Sequence, residues 1–228
     1  MKNKNYYKNN LAYWKKGYFS PNPESFIFRF YGRILRHDFK IKTGKRIFDF
    51  GCGGGGNLNY FHKLGFNVYG AEITKENLDL CKKLIPSKRK NFIKVDADPK
   101  TVDFYIKKNY FDIVICIQTL CFLDNDDMNK ALDNIYNSMK KGGILYASIC
   151  DRDKHYYRVK HGKYVGNGLW NIKFNNGRVK YDLYQNYVRK SQLKGIFKKF
   201  KIKYIDSYDM QFRNEGSEKR WTICCIKK

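Results

Sequence analysis

From about residue 45 onward, short apolar runs alternate with stretches whose apolar residues recur every three or four positions. Arg46–Phe50 reads as a strand that runs into a glycine cluster. Asn57–Leu64 follows at helical spacing, with Leu58, Phe61 and Leu64 on one face. Asn67–Ile73 is a second strand. Thr74 then reads as an N-cap, Glu76 supplies first-turn acid, and the helix runs to Pro86. Phe92–Val95 is a short third strand, and a weak helix around Val102, Tyr105 and Ile106 leads to a fourth, Phe111–Ile117. That fourth run is nearly all apolar, as expected of a strand covered on both faces. Met128–Met139 is helical, Gly142-Gly143 is expected to end it, and Ile144–Ile149 is a fifth strand. This alternation predicts an α/β fold with a doubly wound parallel sheet.

The flanks read differently. Residues 5–40 are aromatic and basic, and Pro21 and Pro23 divide them into two predicted helices. After Cys150 the chain becomes polar, aromatic and glycine-dotted. Gly168–Phe174 and Arg178–Tyr184 flank Asn-Asn-Gly, a hairpin signal. A helix over Arg189–Phe200 and two strands, Lys201–Ser207 and Arg220–Ile226, complete the pattern. No crossover helix separates those two strands, so they are expected to run antiparallel.

Composition changes the picture in one respect. The 228 residues carry 46 Lys+Arg against 21 Asp+Glu, a net charge of +25. That excludes an acidic solvating chain and invites an anionic partner. Arginine is sparse, however, and the lysines are spread along the chain among many Asn, Tyr, Phe and Ile, as an AT-rich codon bias would leave them. The polar start and the lack of an apolar span predict no signal peptide and no membrane helix. The seven cysteines lack zinc-site spacing, and His37, His62, His155 and His161 make no ligand set, so no metal is expected. Buried thiols in apolar runs fit a reducing cytosol, hence a cytoplasmic protein.

The chemistry concentrates in Ile47-Phe48-Asp49-Phe50-Gly51-Cys52-Gly53-Gly54-Gly55-Gly56-Asn57. Glycines between a strand and a helix let backbone approach a ligand closely, at the sheet edge where doubly wound folds bind nucleotides. Gly51-x-Gly53-x-x-Gly56 fits a dinucleotide fingerprint, which would make the chain an NAD-binding oxidoreductase. Asp49 argues against this: a buried carboxylate beside the loop disfavours a pyrophosphate and suits an ammonium group.

Asp49-x-Gly51-Cys52-Gly53-x-Gly55 resembles the first motif of class I S-adenosylmethionine-dependent methyltransferases. Val68–Thr74 is similar to their second strand with its acid, Glu72. Val95-Asp96-Ala97 resembles the adenine-side turn, Tyr110–Val114 the fourth strand, and Lys140–Leu145 the approach to the fifth. The resemblance covers about residues 45–150 and implies a seven-stranded, mostly parallel sheet with an antiparallel last strand. It implies a helical lid over 1–40 and a Rossmann-like domain over 41–228, whose β insertion at 151–186 lies on the acceptor side.

It further implies S-adenosylmethionine as cofactor and S-adenosylhomocysteine as product. Asp49 would lie near the methionine ammonium, and Gly51 and Gly53 would line that moiety. Cys52, Gly55, Asn57 and Ile73 would complete the surround, Glu72 would accept the ribose hydroxyls, Asp96 and Ala97 would meet adenine, and Ile117 and Gln118 would face the sulfonium. Glu72→Ala is expected to weaken cofactor binding without unfolding the chain.

Methyl transfer from a sulfonium is an in-line displacement that needs mostly alignment, and a base only when the acceptor must lose a proton. The segment after strand five offers His155, then His161 and Tyr156, as candidates. Tyr13, Trp14 and Tyr18, with Tyr6 and Tyr7, could roof the site, since aromatic faces stabilise cations. Arg152 and Arg213 are acceptor-side cations. Arg220, with Lys219 and Trp221, is expected to gather at the same edge to hold a phosphate or carboxylate. The acceptor is read as a small molecule methylated on O or N, an anionic metabolite or a sugar or glycan precursor. The basic charge keeps RNA or DNA methylation as the alternative, although no Asn/Asp-Pro-Pro-Tyr tetrad follows strand four, where Ile117-Gln118-Thr119-Leu120 stands.

Overall fold

The computed structural model describes residues 21–95, 107–175, 180–211 and 216–228. Five strands form the parallel half of the sheet: β1 (Arg46–Phe50), β2 (Asn67–Glu72), β3 (Phe92–Lys94), β4 (Phe111–Cys116) and β5 (Met139–Asp151). Two more, β9 (Phe200–Tyr208) and β10 (Arg220–Lys227), extend it beyond β5. The order is β3-β2-β1-β4-β5-β10-β9, with β10 antiparallel to both neighbours. That is the expected seven-stranded sheet with an antiparallel last strand.

The strand count rises to ten because the insertion contributes three: β6 (Gly162–Gly166), β7 (Leu169–Asn175) and β8 (Lys180–Val188). They pair antiparallel in sequence, and β8 joins the end of β5 in parallel at Cys150↔Tyr187 and Asp151↔Val188. The insertion is therefore an extension of the sheet at the edge where β5 ends.

Six α-helical segments are described: α1 (Ser25–Arg29), α2 (Gly56–Lys63), α3 (Lys75–Leu84), α4 (Asn125–Ser138), α5 (Tyr156–His161) and α6 (Lys190–Ile196). α1 continues into a widened π-helical stretch, Phe30–Asp38. This is the second of the two expected N-terminal helices; the first lies outside the described residues, as does the weak helix around Val102. Phe26, Ile27, Phe30 and Leu35 bury one side of this segment against α2 and the sheet, and Phe30 stacks on Tyr146 at 4.1 Å between ring centroids.

Two local readings change. α4 begins three residues before Met128, because the Asp124 side chain accepts the Asp127 N–H at 2.8 Å and caps it. It ends at Ser138, not at Gly142-Gly143. The chain passes directly into β5, and the glycines sit where the β4–β5 register slips between Phe111↔Met139 and Ile113↔Ile144, with Gly142 at φ +75°. A left-handed residue in a ladder marks a bulge. Thr74 does precede α3, but its hydroxyl donates to Glu72 and does not cap the helix.

Candidate active site at the C-terminal edge of the sheet

β1, β2 and β4 end side by side, and the loops leaving them converge. Gly51 N–H and Cys52 N–H both donate to the Ala71 carbonyl at 2.9 Å, which bends the chain off β1. Gly51 sits at φ +82°, where a Cβ would collide with the Thr119 side chain from the loop after β4. Gly53, at φ +51°, has open space where its Cβ would point. The first glycine is thus required by close packing and the second leaves a cradle.

Asp49 is 1 % exposed, and neither carboxylate oxygen has a hydrogen-bond partner, although the Asn57 amide approaches. Burial pushes its carboxyl well above the usual range; the Asn57 amide counters this and Glu72 adds to it. An orphaned buried carboxylate is costly unless a cation meets it. The site therefore fits a ligand bearing an ammonium group.

Glu72 ends β2. Its Oε1 accepts the N–H groups of Ile73 and Thr74, each at 2.9 Å, and the Thr74 hydroxyl at 3.2 Å. Its Oε2 accepts the Gly53 N–H at 2.9 Å. Burial raises its carboxyl, and these donors partly offset the shift. Glu72 thus holds the glycine loop in place, a task the sequence did not reveal. Cys52 is buried at the bend, Ile73 is joined to Glu72 through its N–H, and Gly55 stands in the left-handed region at the N-terminus of α2. Asn57 accepts the Glu24 N–H through Oδ1 at 3.1 Å, so the segment leading into α1 is fastened to the glycine loop's helix.

Past β4, Ile117 is buried, and Gln118 takes φ +54° with its N–H donating to Ser148 Oγ at 2.9 Å. A non-glycine residue held at positive φ beside a ligand cradle is the kind of strain that functional loops retain. Asp96 and Ala97 lie outside the described residues, as do Tyr13, Trp14, Tyr18 and Arg213.

On the other side of β4 a polar row crosses the sheet. Cys150 on β5, Arg220 on β10 and Tyr208 on β9 are direct register partners and share one face. Arg220 Nη1 donates to Cys150 Sγ at 3.1 Å, and Nη2 to Glu218 Oε2 at 3.3 Å. His155 is 2 % exposed, with its ring beside Tyr187 and Tyr157, close to Cys150, and neither ring nitrogen has a hydrogen-bond partner. The neighbouring candidates sit elsewhere. Tyr156 covers the Gly216 backbone and meets the His161 ring at 5.9 Å. Arg152 lies over the Trp170 ring of the insertion at 5.7 Å.

Of the expected gathering of Arg213 and Arg220 with Lys219 and Trp221, Arg213 lies outside the described residues; Lys219 and Trp221 do meet, but Arg220 faces away from them, because successive strand residues point to opposite faces. Trp221 points to the other face, donating to the Val188 carbonyl at 3.2 Å with Lys190 and Lys219 near its ring. Among the described residues there is no group of His, Cys, Asp or Glu that could hold a metal ion, and no helix long and apolar enough to cross a membrane.

Residues 48–147 match the family described as methyltransferase domain. Over 198 residues the chain is 24% identical to a ubiquinone biosynthesis O-methyltransferase of Colwellia psychrerythraea, covering 80% of this chain and 74% of that one. It is 26% identical over 136 residues to the tRNA N(3)-methylcytidine methyltransferase Mettl2 of Drosophila melanogaster, covering 57% of this chain and 42% of that one. Matches to further ubiquinone biosynthesis O-methyltransferases span about half the length of those relatives. The fold is similar to that of a S-adenosylmethionine-dependent methyltransferase from Methanosarcina mazei, with a TM-score of 0.66 at 14% identity, covering 90% of this chain and 98% of that one.

The methyltransferase-domain match over residues 48–147, together with the fold and the glycine loop, supports a class I S-adenosylmethionine-dependent methyltransferase. The domain match makes the protein a methyltransferase with S-adenosylmethionine as methyl donor, which sets aside the nicotinamide alternative.

Proposed function

We propose that the enzyme methylates an O or N atom of a small molecule, an anionic metabolite or a sugar or glycan precursor. One observation carries this reading. Beyond β4, polar atoms of His155, Tyr208 and Arg220 are buried without partners, Tyr208 beneath Phe26 of the N-terminal segment and His155 against Tyr187 of β8, not spread over an open face. Enclosed polar groups suit a ligand that is engulfed.

In this reading Asp49 meets the ammonium of the donor's methionine moiety and Gly53 leaves room for it. Glu72 offers Oε2 to the ribose while holding the Gly53 N–H. Asp96 and Ala97 meet the adenine, and Ile117 and Gln118 border the reacting end. S-adenosylmethionine supplies an activated methyl group on a sulfonium. The chain's work is to align the acceptor and exclude water, which is worth up to about 7–11 kcal/mol of barrier in favourable cases. His155 is the group proposed to take a proton from an O–H or N–H acceptor, supported by its unpartnered ring nitrogens and its place beside the row. The thiols, all unbridged, fit a cytosolic setting.

A second reading, methylation of RNA, is favoured by the similarity to the tRNA methyltransferase and by the charge of +25. Radiolabelled methyl transfer into size-fractionated cell extract separates the two. Label is expected in the small-molecule fraction. Label confined to nucleic acid, with binding that weakens steeply as salt rises, would sink the first reading.

A further inference from the structure

Arg220 is 5 % exposed, yet its donors are poorly used. Nη1 reaches two sulfurs, Cys150 at 3.1 Å and Cys121 at 3.9 Å; Nη2 reaches Glu218 at 3.3 Å; the buried Nε–H has no partner. A buried guanidinium ordinarily closes a bidentate pair with a carboxylate, because leaving its donors unmet forfeits the charge-assisted bonds that offset desolvation. Across the β9–β10 ladder, directly opposite Arg220, stands Tyr208, whose buried hydroxyl is also without a partner. Two orphaned donors thus sit on register neighbours of one sheet face and mark one spot on it.

That spot lies next to the donor site. Phe26 stacks on Tyr208 at 4.4 Å, two residues after Glu24, whose N–H is held by Asn57 of the glycine loop's helix. The amide of Gln118, from the strained loop after β4, also approaches the Tyr208 hydroxyl.

We propose that Arg220 Nε–H and the Tyr208 hydroxyl together hold a carboxylate of the methyl acceptor, so that the substrate is an organic acid. The inference rests on the small-molecule reading above and narrows it. Glu218 leaves a donor of Arg220 available: it engages Nη2, and the Nε–H has no partner. The neighbouring thiols are weak acceptors. Guanidinium and carboxylate match in shape as well as charge, which a neutral amide does not reproduce.

The test titrates benzoate and, separately, benzamide into the full-length protein saturated with S-adenosylhomocysteine, followed by calorimetry. Benzoate is expected to bind at least about tenfold more tightly than benzamide. Tyr208→Phe removes one donor and no structural bond, and is expected to weaken benzoate about three- to tenfold. Arg220→Lys is expected to erase the preference; should that variant misfold, Tyr208→Phe still decides. Equal binding of the two probes, no benzoate binding, or an unchanged Tyr208→Phe would each overturn the proposal. S-adenosylhomocysteine binding is measured first. Its failure would strike the reading of the donor site, and the benzoate–benzamide comparison, run without it, would still decide the acceptor's charge.

Discussion

Replacing Asp49 with Asn should make the protein more stable without its donor and much poorer at binding it. Asp49 is enclosed with both oxygens unpartnered, and its carboxyl lies well above the ordinary value of 3.8 because burial disfavours the charge. A group whose folded pKa is raised gives stability that is complete below about pH 4 and is lost as pH climbs toward the folded value. Ligand-free protein should therefore lose stability on this account through the mildly acid range and above. Asn has the same shape and no charge to desolvate. Near pH 8 the variant should gain about 1 kcal/mol, the low end for an unsatisfied buried group, since the amide is still imperfectly bonded. For a chain of this length that is a rise of about 2–4 °C in Tm.

The gap should shrink to within a few tenths of a kcal/mol at about pH 4, where the wild-type carboxyl is protonated when folded and about half protonated when unfolded. Losing a charged bond to the ligand's ammonium costs about 1.5–3 kcal/mol, roughly a 10- to 150-fold loss of S-adenosylhomocysteine affinity. Thermal unfolding from pH 4 to pH 8, with and without that ligand, reads both effects. A variant no more stable than wild type at pH 8, or one that binds the ligand within twofold, would refute the assignment of Asp49 to a cation.

Glu72→Ala should cost about 1–3 kcal/mol of stability besides weakening the donor, because it strands the N–H groups of Gly53, Ile73 and Thr74; unfolding and ligand binding measured on the same sample would reveal a role confined to either. Gly51→Ala and Gly53→Ala should fail differently. Both suffer the positive φ, but the first also meets Thr119 and should lose much more folding stability, while the second meets open space and should lose only a few degrees in Tm yet bind S-adenosylhomocysteine at least about tenfold more weakly. His155→Gln should lower kcat at least about tenfold while changing KM for the acceptor little; an unchanged kcat would remove it as the base.

The parallel core was legible because each element announced itself locally: apolar runs for strands, helical spacing between them, and glycines after β1. The place where the loops converge was legible too, since Asp49, Gly51, Gly53 and Glu72 lie at or just beyond strand ends. What could not be read depends on register. Nothing in the sequence sets Tyr208 opposite Arg220 or Arg220 opposite Cys150, because a one-residue slip would turn each to the other face. The same ambiguity misplaced Trp221. The bond from Glu24 to Asn57 spans 33 residues and leaves no local trace. Gly142-Gly143 misled because a bulge and a helix stop use the same residue for the same backbone freedom.

The fastening of Glu24 to Asn57 has a kinetic consequence. Three consecutive residues, Glu24 to Phe26, link the glycine loop's helix to Tyr208. On the proposed reading, ligands entering beside either anchor would disturb the same short strap. Spent donor and methylated product would then depart through one shared doorway, and slackening that one tether would hasten both exits together.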